Sequence, residues 1–402
     1  MRKTATALVF ILISLLSAAT SSHAQTAEEH NQKAMDLISQ GKIKEAVEEF
    51  KAAIKADSTY AKAYVNLGFI YYRSNRFKEA IALYQKALKF DPDSPMAHNN
   101  LGAALLAVGE YNEAIGEYNR AVQLKPDYPE AHNNLAYALN ALGLYDLALK
   151  EAQKALELRP DYDMAYNNIG MAYNGKGEYD QAVAQFKKAL EVNPKLVPAL
   201  NNLGITYRLT GKLDESVKVH LKAAELDSLN TDTYNNLGLA YTAQGEPQKA
   251  IEAFEKVLKI IPSNPVAHNN LAYVYYDLLD YAMAMQHAKA AERFGLKVSP
   301  EFMADLEKSL DPQYMRVRHI LVKTQEEAQA IVDELAHGGN FAKLAAEKSI
   351  DQRTAVKGGD FGYFKKGDLQ PEFENVIVKL KKGEISPIIK SELGYHIFQQ
   401  LK

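Results

Sequence analysis

Between Met96 and Pro129 the apolar positions return twice with the period of a helix. Leu101, Leu105 and Leu106 share one face of a first helix. Gly109 ends it, as a residue free to take positive φ can. Ala114, Tyr118 and Ala121 then mark the face of a second helix, and Pro126, lacking an amide hydrogen, closes the pattern. Small residues at Gly102, Ala114 and Ala121 permit the two helices to approach closely, with Tyr118 filling the gap between them. The pattern predicts a helix pair.

That pair recurs along the chain. Asn66, Asn100, Asn134, Asn168, Asn202, Asn236 and Asn270 are each 34 residues apart. Pro92, Pro126, Pro160, Pro194 and Pro262 keep the same step, as do Ala46, Ala80, Ala114, Ala148, Ala182, Ala250 and Ala284. A period of this length specifies a stacked array in which each unit buries its apolar face only against its neighbours. The register resembles the tetratricopeptide repeat family over residues 27–298, in eight units beginning near Ala27, Ala61, Pro95, Pro129, Asp163, Val197, Thr231 and Pro265. Three units depart from it. The first has Ser58 where proline is usual, the sixth carries Ser216, His220 and Ser228, and the eighth has Leu279 where glycine is usual. Pro300 to Leu310 reads as a solvating cap helix within a linker, 299–313.

In this family the leading helices line a groove, and the second asparagine of each tandem pair matches a position that contacts a bound peptide's backbone in some arrays. A primary amide both donates and accepts, so it holds peptide groups without reading side chains. Asn66, Asn100, Asn134, Asn168, Asn202, Asn236 and Asn270 are therefore expected to bind peptide. The competing expectation is bonding within or between helices. His98, His132 and His268 also repeat, but where an aromatic residue normally packs, and are expected to pack rather than to ligate a metal.

From Tyr314 the 34-residue step stops. Arg316 to Lys323 reads as a strand, Glu326 to His337 as an amphipathic helix closed by Gly338-Gly339, and Phe341 to Lys348 as a second helix. Gly358 to Phe364 gives a turn and a short strand, Pro371 to Leu380 a helix, and Ile385–Ile389 with Tyr395–Leu401 two closing strands. Four motifs stand out in order: His319-Ile320-Leu321-Val322, Gly359-Asp360-Phe361-Gly362-Tyr363-Phe364, Pro371-Glu372-Phe373-Glu374 and Gly394-Tyr395-His396-Ile397. Across 314–402 they resemble the parvulin family of peptidyl-prolyl cis-trans isomerases. The resemblance implies a four-stranded antiparallel sheet wrapped by helices, a shallow proline pocket, and active-site positions at His319, Asp351, Phe361, Leu369, Phe373 and His396. The fold expected for the whole chain is an α-solenoid of about eight helix pairs followed by a small α+β domain.

The chemistry asks for little. An Xaa-Pro bond rotates slowly because amide resonance sets a barrier of roughly 18–20 kcal/mol. Rotation takes the ring nitrogen out of conjugation, which an apolar pocket favours over water. Leu369, Phe373 and Phe361 are expected to form that pocket, and His319 and His396 to meet as a hydrogen-bonded ring pair across adjacent strands. Asp351 is expected to polarise a histidine or the surroundings of the twisting carbonyl, not to act as a base. No cofactor, metal or covalent nucleophile is called for. The absence of cysteine in all 402 residues excludes thiol chemistry and disulfide scaffolds. Lys323 to Glu327 runs into an acidic helix and lacks the arginine-rich loop of phosphate-directed parvulins.

Charge and the N-terminus complete the expectation. With 50 acidic against 47 basic residues the chain lacks the basic excess of a nucleic-acid binder, and no GxxxxGK[ST] loop is present for a nucleotide. Arg2 and Lys3 precede an apolar run from Ala7 to Ala19 and a small-residue site ending at Ala24, the layout of a secretory signal peptide over 1–24. Its removal would leave no stable membrane span. The chain is expected to be periplasmic or secreted, a foldase whose partners are unfolded or extended proline-containing polypeptides of the envelope or exterior. The alternative is a non-catalytic repeat scaffold for envelope protein–protein interactions carrying an inactive parvulin domain.

Overall fold

The computed structural model describes residues 26–402, so the expected signal peptide, 1–24, lies outside the described residues. The chain falls into two compact units that meet in sequence between Leu226 and Asp227.

The first unit is six helix pairs, from 26–39 with Ile43–Ala56 to Val197–Leu209 with Leu213–Leu226. The turn inside each pair is left-handed: Gly41, Gly109, Gly143, Gly177 and Gly211 have φ of 73–88°, and Asn75 takes the same role at 57°. In the second, third and fifth pairs a ring on the trailing helix faces a glycine on the leading one, whereas in the first Phe50 shares a cluster with Ala34. Tyr84, Tyr118 and Phe186 press so closely on Gly68, Gly102 and Gly170 that a Cβ there would lie 2.6–2.8 Å from a ring carbon. In the fourth pair the ring is replaced by Ala152, and Ala136 takes the glycine's place in the same cluster. The sixth pair accommodates its departures in kind. Fully buried His220 lies against Gly204 where a ring is usual, and the Ser216 hydroxyl donates to the Gly204 carbonyl at 2.7 Å.

The second unit begins with two further pairs, Thr231–Gln244 with Pro247–Ile260 and Pro265–Asp277 with Tyr281–Arg293. Leu279 keeps the left-handed turn at φ 62° despite its side chain. The cap helix Pro300–Leu310 follows, its Phe302 ring stacked on Tyr273 at 4.1 Å. Four strands then form an antiparallel sheet of order β2-β1-β4-β3: β1 (Tyr314–Val322), β2 (Asp360–Lys365), β3 (Ile389–Ser391) and β4 (Gly394–Gln400). Alternation along β1 and β4 sorts the side chains into two clusters. Ile320, Val322 and Ile397 join Ile331 and Phe341 of the helices Gln325–Ala336 and Phe341–Lys348. Val317 and Phe398 join Phe364 and Ile377. A capping box between Thr324 and Glu327 starts Gln325–Ala336, satisfying two backbone donors reciprocally.

One expected strand is largely absent. Of Ile385–Ile389, Ile385 makes an isolated bridge to β4 opposite Gln399, and only Ile389 lies in a strand, as the first residue of β3 opposite His396. Pro387 has no amide hydrogen to give a ladder. Ser386 instead donates its own N–H to the Phe398 carbonyl and accepts the Phe398 N–H on its hydroxyl. The helix begun by Pro371 ends at Ile377, short of Leu380. Among the described residues no helix is long and apolar enough to cross a membrane.

Candidate functional site

β1 and β4 are neighbours, and their register sets Leu321 opposite His396 and His319 opposite Phe398. The two imidazoles therefore meet on the diagonal, on the face of the sheet that carries Val317 and Phe398. His319 Nε2 lies 2.9 Å from His396 Nδ1, with ring centroids 5.1 Å apart. Ser391, at the end of β3, places its hydroxyl 2.6 Å from His396 Nε2. At the other end His319 Nδ1 stands 3.6 Å from Asp351 Oδ2, an electrostatic contact too long for a hydrogen bond, and among the described residues no other group bonds that nitrogen.

Both rings are buried, 4% and 3% exposed. Burial, with the charge His396 would carry, pushes His319 down to about 4, and the nearby Asp351 carboxylate does not reverse this. Burial also holds His396 below its ordinary value. The pair is neutral at pH 7. Burial alone would raise the Asp351 carboxyl, but Arg353 and Thr354 bond to it and hold it below the usual carboxylate range. Asp351 also caps the short helix Gln352–Ala355 by accepting the Arg353 N–H.

Aromatic rings enclose the imidazoles. Phe398 stacks on His319 at 4.7 Å, Phe361 meets it edge-on at 6.0 Å, and Phe373 lies 4.6 Å from His396. Phe373 belongs to the first turn of Pro371–Ile377, where Pro371 fits the helix start because its missing donor is unneeded there. An open cleft of about 730 Å³ separates this turn from the β3–β4 turn, with Phe373 and Pro371 on one wall and Ser391 and Leu393 on the other. Phe373 is thus the one expected pocket residue on the cleft wall. Phe361 is 39% exposed beyond His319, and Leu369 packs half-buried against the Val317–Phe364–Ile377–Phe398 cluster. Ser391 was not foreseen. Its one signal in the sequence is a hydroxyl two residues before the Leu393-Gly394 turn that leads into His396.

The repeat asparagines bond to one another. The Nδ2 of Asn66, Asn134, Asn168, Asn202 and Asn270 donates to the Oδ1 of Asn31, Asn99, Asn133, Asn167 and Asn235, the preceding position one repeat earlier, at 2.7–3.0 Å. Asn168 is fully buried and gives a second contact to the Asn133 carbonyl, so it has no surface to offer a peptide. That expectation is corrected for Asn168. Asn66, Asn100, Asn134, Asn202, Asn236 and Asn270 are half-buried.

The repeat histidines carry a feature beyond packing. His98 and His132 each contact a carboxylate, Glu117 and Glu151, at 2.6 Å through Nδ1, and a proline carbonyl, Pro92 and Pro126, through Nε2. His30 meets Glu49 in the same way, and the common spacing of 19 residues is a signal the sequence did contain. In the eighth repeat that spacing brings His268 to His287, 2.9 Å between Nδ1 atoms. Among the described residues no group of three or more His, Asp or Glu side chains is placed to hold a metal ion.

Sequence profiles agree with this geometry. A PPIC-type PPIase (peptidyl-prolyl isomerase) domain profile matches 319–401, and tetratricopeptide repeat profiles match successive stretches from 36 to 264. The chain is a tetratricopeptide-repeat array joined to a PPIC-type peptidyl-prolyl isomerase domain. The isomerase domain is 45% identical over 93 residues to a parvulin-like PPIase of Rickettsia typhi, 22% of this chain and 33% of that one. The chain is also 42% identical over 120 residues to the foldase protein PrsA of Exiguobacterium sibiricum, 29% of this chain and 38% of that one. It thus spans little more than a third of the length of these relatives. A tetratricopeptide repeat protein from Parabacteroides merdae superposes with a TM-score of 0.54 at 22% identity, covering 62% of this chain and 99% of that one. The APC/C hetero-tetramer Cut9-Hcn1 gives 0.55 at 17%, over 69% and 55%. At these identities the likeness is one of fold.

Proposed function

We propose that this protein is an exported peptidyl-prolyl cis-trans isomerase and foldase. Its array, 27–298, holds extended or unfolded polypeptide, and its isomerase domain, 314–402, rotates Xaa-Pro bonds in the same chains. The linker 299–313 joins the two, and the signal-like segment 1–24 directs export. One observation carries the reading: a neutral, buried His319–His396 pair beside an open cleft walled by Phe373 and Pro371.

The mechanism follows from that wall. A prolyl ring seated on Phe373 leaves water, and its nitrogen loses less by giving up amide conjugation there than in solvent. Ser391 and the two imidazoles hold the wall's shape through short bonds that need no charge. Phe361 backs His319, Leu369 packs the cluster beneath the site, and ionised Asp351 sets the polarity behind His319. Holding two weak sites on one chain raises the local concentration of substrate at the second. Uncatalysed isomerisation takes tens of seconds, so a foldase acting without nucleotide has a step to accelerate.

Cis-trans exchange of an Xaa-Pro tetrapeptide, followed by NMR with the mature chain, tests this. Acceleration that Phe373→Ala reduces by roughly tenfold or more supports the reading. No acceleration by the folded chain leaves the scaffold alternative standing.

A further inference from the structure

Arg316 lies on β1 three residues before His319, with its side chain 14% exposed. Its guanidinium faces two ways. Nε and Nη2 grip the two oxygens of Asp360, Nε to Oδ1 at 3.1 Å. Nη1 donates to Asp305 Oδ2 on the cap helix at 3.1 Å, to the Tyr363 hydroxyl on β2 at 2.9 Å, and to the Tyr276 hydroxyl. Tyr276 belongs to the leading helix of the eighth repeat, and its hydroxyl donates in turn to Asp305. Tyr363 adds a bond to the Asp305 carbonyl at 3.1 Å and one with Ser309. A bidentate fork matched to a carboxylate fixes direction as well as charge.

Asp360 passes that direction on. Its Oδ1 also accepts the Gly362 N–H at 2.9 Å, so one carboxylate pins both flanks of Phe361. Gly359, just before it, accepts the His319 N–H on its carbonyl at 2.7 Å. Gly359 and Gly362 both have positive φ, 85° and 86°, and Gly359 sits so close to the His319 carbonyl and Ala345 that a Cβ there would lie within 2.9 Å of both. Phe361 then presents its edge to His319. The path from the eighth repeat to the imidazole pair is Tyr276, Arg316, Asp360, Phe361, His319. Burial would lower the guanidinium's pKa, but Asp360 and Tyr276 keep Arg316 above its ordinary value, so the fork stays charged.

We propose that Arg316 is a positioning residue through which Tyr276 of the eighth repeat and Asp305 of the cap helix set the Phe361–His319 ring contact behind the cleft, so that isomerisation depends on side chains of the repeat array. The inference rests on the isomerase reading above and goes beyond it. The repeats then act on the rate of rotation as well as on capture of substrate.

The test uses the mature full chain with Tyr276→Phe, Asp305→Asn and Arg316→Lys, read by steady-state isomerisation and by NMR of the Phe361 ring and the His319 Cε1–H. Tyr276→Phe removes one oxygen and Arg316→Lys keeps the charge while losing the fork. Each should lower kcat roughly three- to tenfold with KM changed less than about twofold, and shift both NMR signals. Wild-type kcat in folded Tyr276→Phe, or full activity in Arg316→Lys, overturns the proposal. Should Arg316→Lys fail to fold, Tyr276→Phe decides. If the unsubstituted chain proves inactive, the isomerase reading fails, and the two NMR signals decide alone: unmoved, they overturn the positioning role as well.

Discussion

In the repeats a histidine meets a carboxylate; in the sheet it meets another histidine. His132 and His319 are similarly buried, at 7% and 4% exposed, yet their pKa values move in opposite directions. Burial pulls His132 down, but the Glu151 contact and the Pro126 carbonyl more than offset it and leave its pKa raised. With an acceptor at each nitrogen, the ring serves best as a cation. His319 has an imidazole on one side and a distant carboxylate on the other, and is pushed down to about 4. Depth alone therefore does not set the charge; the partner does. The eighth repeat shows this within one scaffold. There His287 takes the place of the glutamate, and burial together with His268 pushes it down to about 4. The fourth repeat uses the His132 imidazole as a clasp between helices that favours the cation, and the isomerase domain uses its imidazoles as an uncharged spacer beside a cleft.

The comparison breaks most visibly in acid. His319 has a folded pKa below its unfolded 6.5, so the unfolded chain binds the extra proton as pH falls from 6.5 toward 4. His319 and His287, each pushed down to about 4, should each take about 3 kcal/mol from the stability of the second unit across that window, measured by urea unfolding followed through sheet signals. A flat profile would mean that His319 is not held neutral. A substitution sharpens the point. His396→Glu rebuilds the repeat type of pair inside the sheet, and should raise the His319 titration above 6.5 while lowering isomerase kcat/KM by roughly tenfold. An unmoved His319 titration would show that depth, not partner, governs.

The converse experiment concerns the clasp. Glu151→Gln keeps the shape and removes the charge, and should cost about 1 kcal/mol at pH 6. His132 has a raised folded pKa, so the clasp's contribution is complete below the unfolded value and fades as pH rises through the folded one. The difference between Glu151→Gln and the parent should therefore shrink by pH 9; an equal loss at both pH values would refute the charged clasp. The smallest effect belongs to the amide ladder. Asn134→Ala, at a half-buried rung, should cost about 0.5 kcal/mol and weaken binding of an unfolded polypeptide, whereas Asn168→Ala should cost about 1 kcal/mol and leave binding unchanged. Equal binding losses at the two rungs would show that burial does not divide the ladder.

Much of this was legible in the residues, and for a physical reason. A 34-residue step survives any context because each repeat packs on a copy of itself, so the eight pairs could be read from asparagine, alanine and proline alone. The His319–His396 contact was legible because two motifs place one imidazole on each of two neighbouring strands. What was not legible depends on partners far along the chain. Arg316 draws its partners from Tyr276, Asp305, Asp360 and Tyr363, and nothing in Arg316-Val317-Arg318 announces them. The asparagines were read for an amide's capacity to hold a peptide, but most of their N–H groups bond to the repeat before. The apolar composition of Ile385–Ile389 reads as a strand, but the single missing hydrogen of Pro387 breaks the ladder there.

The matching of volumes inside the helix pairs bears on how such an array can be recombined. The ring of Phe186 fills the space that a Cβ on Gly170 would need, Ala152 is matched by the methyl of Ala136, and in the first pair Phe50 shares its cluster with the methyl of Ala34. A chimera cut at the left-handed turn between the helices of a pair would set ring against methyl in some combinations and leave a hole in others. Cuts at the turn that closes each pair, where five of them carry proline, keep the matched halves together. Duplication or shuffling of this gene segment would then preserve folding when it moves whole pairs, with crossover points in phase with the prolines.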